Sequence, residues 1–100
     1  MHDVPARRLK ALGHPVRLGI ALLLAEEPET CACEFADIFG VSQPTVSEHL
    51  KVLRHAELVR TRRQGTQICY SLAPEAIREL GELIASLAPP SARLASTSHV

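Results

Sequence analysis

The chain alternates between two apolar periods, and the change from one to the other marks its parts. Residues 3–13, "DVPARRLKALG", carry apolar side chains at helical spacing, with Asp3 placed to cap, Pro5 in the first turn and Gly13 at the end. Residues 14–27, "HPVRLGIALLLAEE", repeat that period more densely. Val16, Ile20, Leu23 and Leu24 form a stripe that Leu18 and Leu22 widen, which predicts a centrally buried helix. "CACEFADIFG", residues 31–40, predicts a short third helix with Thr30 as its cap, Phe35, Ile38 and Phe39 facing inward, and Gly40 at its left-handed end.

After Val41 the pattern becomes a narrow stripe. In "VSQPTVSEHLKVLRHAEL", Ser42 caps a helix with Pro44 in its first turn, and Val46, Leu50 and Leu53 point inward. Gln43, Thr45, Ser47, Glu48, His49 and Lys51 are left on the outer face. In "LVRTRRQGTQICYSL" the period falls from about 3.6 to about 2. Ile68, Tyr70 and Leu72 alternate with Gln67, Cys69 and Ser71, and the Gln64–Gly65 step predicts a hairpin turn. "PEAIRELGELIASLA", residues 74–88, returns to helical spacing, with Ile77, Leu80, Leu83, Ile84 and Leu87 on one face. "PPSARLASTSHV", residues 89–100, is short of apolar bulk and reads as a disordered tail.

The predicted order is α-α-α-α-β-β-α, one mainly helical domain over residues 1–88. A short helix, a tight glycine-containing turn, a second amphipathic helix and a β-hairpin form a winged helix-turn-helix. Composition changes this picture little: 46% of residues are hydrophobic and the net charge is zero. The distribution of charge adds more. Residues 41–73 hold Lys51, Arg54, Arg60, Arg62 and Arg63 against only Glu48 and Glu57, which makes them the one positive block. Charge concentrated on one element is the footprint of a DNA-binding surface. Gln43 can read adenine, and Ser42, Thr45 and Ser47 can meet base edges or phosphates. His49 and Lys51 lie at phosphate range, and Arg62 and Arg63 on the wing suit the sugar-phosphate backbone.

The N-terminus carries no secretory signal, and no apolar run reaches the ~20 residues of a membrane span. A cytoplasmic protein with no membrane partner is expected, in which Cys31, Cys33 and Cys69 stay reduced. No phosphate loop, paired carboxylates or oriented nucleophile points to an enzyme, and no organic cofactor is expected. The thiols instead suggest a soft-ion site. Residues i and i+2 of a helix point about 200° apart, so Cys31 and Cys33 can chelate together only if the first turn unwinds. At a helix front this is cheap, because those amides have no intrahelical partner, and the positive end favours the thiolate. On this reading, coordination bends the third helix and shifts the recognition helix. Alternation puts Cys69 on the polar side of its strand, with a role as third thiolate left open.

"ALGHPVRLGIALLL", "CAC", "VSQPTVSEHLKVLRHAELV" and "RRQGTQICYSL" together resemble the ArsR/SmtB family of metal-sensing repressors, over roughly Ala6 to Leu87. The resemblance implies a homodimeric repressor on palindromic double-stranded operator DNA, released when an inducer ion binds. "CAC" looks like the site of the members that respond to trivalent arsenic or antimony, with Cys31 and Cys33 as ligands. Those members often carry a third cysteine three residues later, where this chain has Ala36. The third position then falls to hydroxide, a small thiol or Cys69. A thiol-redox or persulfide sensor, or a cadmium or lead sensor, is the alternative use of the same cysteines. The last helix holds Glu75, Glu79 and Glu82 without His or Asp, so no zinc site is expected there. Leu9 and Leu12 of the first helix, with Leu80, Leu83, Ile84 and Leu87 of the last, are expected to form the dimer interface. Its two recognition helices would then sit roughly 34 Å apart, one DNA turn.

Overall fold

A computed structural model describes residues 1–91. The elements are α1 (Asp3–Leu12), α2 (Pro15–Glu26), β1 (Thr30–Cys31), α3 (Ala32–Phe39), α4 (Gln43–His55), β2 (Val59–Gln64), β3 (Gln67–Leu72) and α5 (Pro74–Ala85). This is the expected winged helix-turn-helix with one addition, since residues 30–31 form a strand. The sheet is three-stranded in the order β1-β3-β2, antiparallel throughout. The disordered tail expected over residues 89–100 lies mostly outside the described residues.

Local chemistry explains most boundaries; Asp3, expected to cap α1, instead lies within it, and the cap position, His2, makes no side-chain cap bond. His14 caps α2, its Nδ1 accepting the Val16 N–H at 3.1 Å, and Pro15 follows at a position that needs no amide donor. Cys31, not Thr30, is the N-cap of α3; both residues form β1, and Thr30 is buried there. The Glu34 carboxylate accepts the Cys31 N–H at 3.0 Å, returning from the third helical position to the cap. Gly40 ends α3 at φ +64°, the left-handed conformation that a side chain disfavours. Ser42 caps α4, with Oγ accepting the Thr45 N–H at 3.3 Å. The hairpin closes through Gly65 and Thr66, between the paired Gln64 and Gln67, and Gly65 supplies the positive φ.

One core joins the helices to the wing. Ile20, Phe35, Leu50, Leu53 and Leu58 are fully buried in it, with Val46, Ala76 and Leu80 beside them. The narrow stripe of α4 is as expected. The broad stripe of α2 is not: Leu18 and Leu22 are 46% and 61% exposed, and the buried positions are Ile20, Ala21 and Leu24. Ile38 also faces outward, at 54% exposure. Phe35 sits edge-on to Tyr70, with ring centroids 6.3 Å apart, which seats α3 on the sheet.

Candidate nucleic-acid interface and thiol pair

The outer face of α4 begins at its cap. Ser42, Gln43, Thr45, Ser47 and Lys51 are exposed along it. The Ser42 hydroxyl also donates to Thr45 Oγ1 at 2.9 Å, which fixes two of the short polar groups relative to each other. His49 departs from the expected outward position. It is half-buried against α2, its ring 4.5 Å from that of His14, and Arg17 Nη1 lies 3.3 Å from its Nδ1. A guanidinium only donates, so Nδ1 must accept and the imidazole is neutral. Burial, then the neighbouring His14 and Arg17, hold the His49 pKa below its ordinary value, against a smaller upward pull from Glu48.

The wing presents its cations differently from one another. Arg63 is exposed, with no ion-pair partner among the described residues. Arg60 pairs with Glu75. Arg62 is held by Glu29 through two parallel bonds, Nε to Oε2 at 2.9 Å and Nη2 to Oε1 at 2.6 Å, and also donates to Gln64 Oε1 at 3.1 Å. The hydrogen bond from Arg62 holds the Glu29 carboxyl below its usual range and raises Arg62 in return. Sequence reasoning assigned Glu29 no role. Its one signal was position, two residues before the cysteine pair.

The cysteines divide unexpectedly. Cys31 is joined to Cys69 by a disulfide, and Cys33 is a free, exposed thiol. Cys31 faces Cys69 in the β1–β3 ladder, and Arg62 faces Cys69 in the β2–β3 ladder. Directly opposed residues point to the same side of a sheet, so Cys31, Cys69 and Arg62 form one row on one face. Alternation correctly separates Cys69 from Tyr70, but that face is not open to solvent here. Cys69 is only 1% exposed, because β1 lies alongside it.

Cys33, at the second helical position of α3, lines a groove of about 320 Å³ with Gln43 and Ser47 of α4 and Thr66, Gln67 and Ile68 of the wing. Its backbone carbonyl accepts a hydrogen bond from Gln43 Nε2 at 3.3 Å. Among the described residues no three His, Cys, Asp or Glu side chains are gathered as a metal site.

On the proposed dimer face, Leu9, Ile84 and Leu87 are 40%, 48% and 77% exposed. Leu12 and Leu83 are half-buried against the core, and Leu80 belongs to the core itself at 6% exposure, so it is not a surface contact. None of the helices among the described residues is long and apolar enough to cross a membrane.

Residues 14–61 match the family model described as "Bacterial regulatory protein, arsR family". An HTH-type transcriptional regulator of Methanocaldococcus jannaschii is 36% identical over 86 residues, 86% of this chain and 97% of that one. The arsenical resistance operon repressor of Escherichia coli K12 is 41% identical over 71 residues, 71% of this chain but 61% of the repressor. Among solved structures, the homodimeric winged helix-turn-helix DNA-binding domain Mb0332 of Mycobacterium bovis superposes with a TM-score of 0.71 at 31% identity, covering 85% of this chain and 79% of that one. These relatives are DNA-binding transcriptional regulators, not enzymes.

Proposed function

The chain belongs to the ArsR family of bacterial regulatory proteins, and from that membership we propose a homodimeric cytoplasmic repressor that leaves its operator when trivalent arsenic or antimony binds its thiols. The DNA surface is the exposed front of α4, with Ser42, Gln43, Thr45, Ser47 and Lys51, flanked by Arg62 and Arg63 of the wing. His49 supports α4 from behind rather than touching phosphate. Two such surfaces, brought together through Leu9, Ile84 and Leu87, fit a palindromic operator.

One observation carries the link between inducer and DNA: Gln43, the first residue of α4, donates to the backbone carbonyl of Cys33 at 3.3 Å. The thiol segment and the DNA-reading helix are therefore joined directly. Thiolates are the donors a soft trivalent ion selects. Cys31 is the N-cap and Cys33 the second helical residue, so both lie where α3 distorts most cheaply. Bringing both sulfurs to one ion turns the Cys33 peptide and breaks its bond with Gln43. The sulfur of Cys69, already against Cys31, is a third donor in the reduced protein.

The test is fluorescence anisotropy of the reduced protein on an operator selected from a random duplex library, titrated with arsenite and antimonite. Changing Cys31 and Cys33 together to Ser should leave DNA affinity near wild type and abolish arsenite-driven release. Normal release from the double variant would place the inducer site elsewhere.

A further inference from the structure

Cys31 and Cys69 join the helix-turn-helix to the wing. Cys31 caps α3, which packs on the DNA-reading helix, while Cys69 lies mid-strand in the wing. Cys69 is fully buried yet stands outside the contiguous apolar core. The β1 segment lies alongside it, and Gln64 Oε1, from the same face of β2, stands 3.7 Å from its sulfur. Glu29, directly before β1, grips Arg62 with both carboxylate oxygens.

We propose that Cys31 and Cys69 form a reversible redox clasp that, when closed, withdraws Arg62 from DNA. The inference rests on the DNA-binding reading of α4 and the wing; it shares Cys31 with the arsenic site argued above, so closing the bridge also occupies one inducer ligand, and it leaves Cys33 aside. Strand β1 is two residues long, so apart from the sulfur bridge it is held by very few ladder bonds. With the bridge closed, Thr30 and Cys31 stay in register with β3, and the Glu29 carboxylate just before them remains on Arg62. With the bridge open, the segment detaches cheaply, as short, weakly bonded elements do. Arg62 is then free to meet a phosphate.

The chemistry needs one two-electron oxidant, a peroxide. Cys31 is the half-exposed sulfur and meets the peroxide first. Its thiolate attacks one peroxide oxygen. A sulfur–oxygen bond forms, the oxygen–oxygen bond breaks, and the departing hydroxide takes up the thiol proton as water. The thiolate of Cys69 then attacks the sulfenic sulfur. The sulfur–sulfur bond forms, and the oxygen leaves as a second water carrying the Cys69 proton. Two thiols and one hydrogen peroxide give one disulfide and two waters. A dithiol reductant reverses the step by exchange through a mixed disulfide. Cys33 takes no part, since it opens into the groove beside α4, away from the row that holds Cys69.

The experiment compares full-length protein reduced with dithiothreitol and the same protein after stoichiometric hydrogen peroxide. Alkylation and peptide mapping should find Cys31 linked to Cys69 and Cys33 alkylated. On the selected operator, the oxidised form should bind with a log-log salt slope smaller by about 0.9 per protomer, or roughly tenfold weaker per protomer near ~0.1 M salt. Glu29→Gln should restore the steeper slope without opening the bridge. Cys33→Ser should keep the response and Cys69→Ser should lose it. If Cys69→Ser does not fold, the wild-type comparison and Glu29→Gln still decide. A Cys31–Cys33 or intermolecular bridge, or equal slopes in the two forms, overturns the proposal. Peptide mapping is read without DNA, so a reduced protein that binds no duplex overturns the DNA-binding reading while the bridge is judged separately.

Discussion

His49 shows how one side chain can leave the surface its helical position assigns it. It occurs among outward-facing neighbours on α4, yet it packs on His14 and accepts from Arg17 of α2. A histidine whose folded pKa is depressed binds fewer protons folded than unfolded below the ordinary value of 6.5. Its stabilising contribution is therefore complete above that value and is lost as pH falls toward and through the folded pKa. Thermal melts should show Tm falling from pH 7.5 to pH 5.5, and His49→Gln should flatten that fall. An unchanged pH dependence in the variant would assign the effect to other groups. The helical spacing of His49 was plain in the sequence, but its inward turn was not, because it depends on where α2 crosses. Glu29 was hidden, and the role of Cys69 was left open, for a related reason. Their roles arise from a strand register that pairs residues about forty positions apart, which no local period reports.

At the scale of elements, the caps and turns around α4, the end of α3 and the hairpin were legible, whereas Asp3 and Thr30, expected as caps, are not caps: α1 has no side-chain cap and Cys31 caps α3. The start of α4 at Ser42, the end of α3 at Gly40 and the hairpin at Gly65 each follow from one residue's backbone preference. Strand β1 was not legible, since two residues cannot display a period of 2, and what makes Thr30–Cys31 a strand is the free edge of β3 beside it. The stripe of α2 was too generous because apolar residues outnumber the positions the small core can cover. The turn between α3 and α4 offers a clean test. A Cβ at Gly40 would meet no atom within 4 Å, so Gly40→Ala adds only the cost of its φ of +64°. Chemical denaturation should show a loss of about 1 kcal/mol, with an unchanged m-value. A loss of several kcal/mol would mean the turn is packed against something it does not touch here.

At the scale of the whole molecule, the apolar residues of α1 and α5 divide between two duties. Leu80 closes the core, and Leu80→Ala should cost about 2–5 kcal/mol. Ile84 and Leu87 contribute little to the protomer and much to the proposed pairing. Ile84→Asp with Leu87→Asp should therefore lower Tm only by the lost pairing and remove its dependence on protein concentration, with helix content kept, while sedimentation reports a monomer and operator affinity collapses. A double variant that still sediments as a dimer would move the interface to another face, for which Leu18 and Leu22 of α2 are the exposed candidates. The two-residue strand has a further consequence for anyone exchanging parts between relatives. Were DNA preference and chemical sensitivity separable modules, the hairpin would belong to the first and the front of α3 to the second. Here they are stitched along a single edge, so a transplanted hairpin carries away one sulfur of the pair and the cation facing it. On the proposed reading, chimeras cut at residues 58 and 73 would exchange the binding footprint and lose the Cys31–Cys69 clasp together, while keeping Cys31 and Cys33.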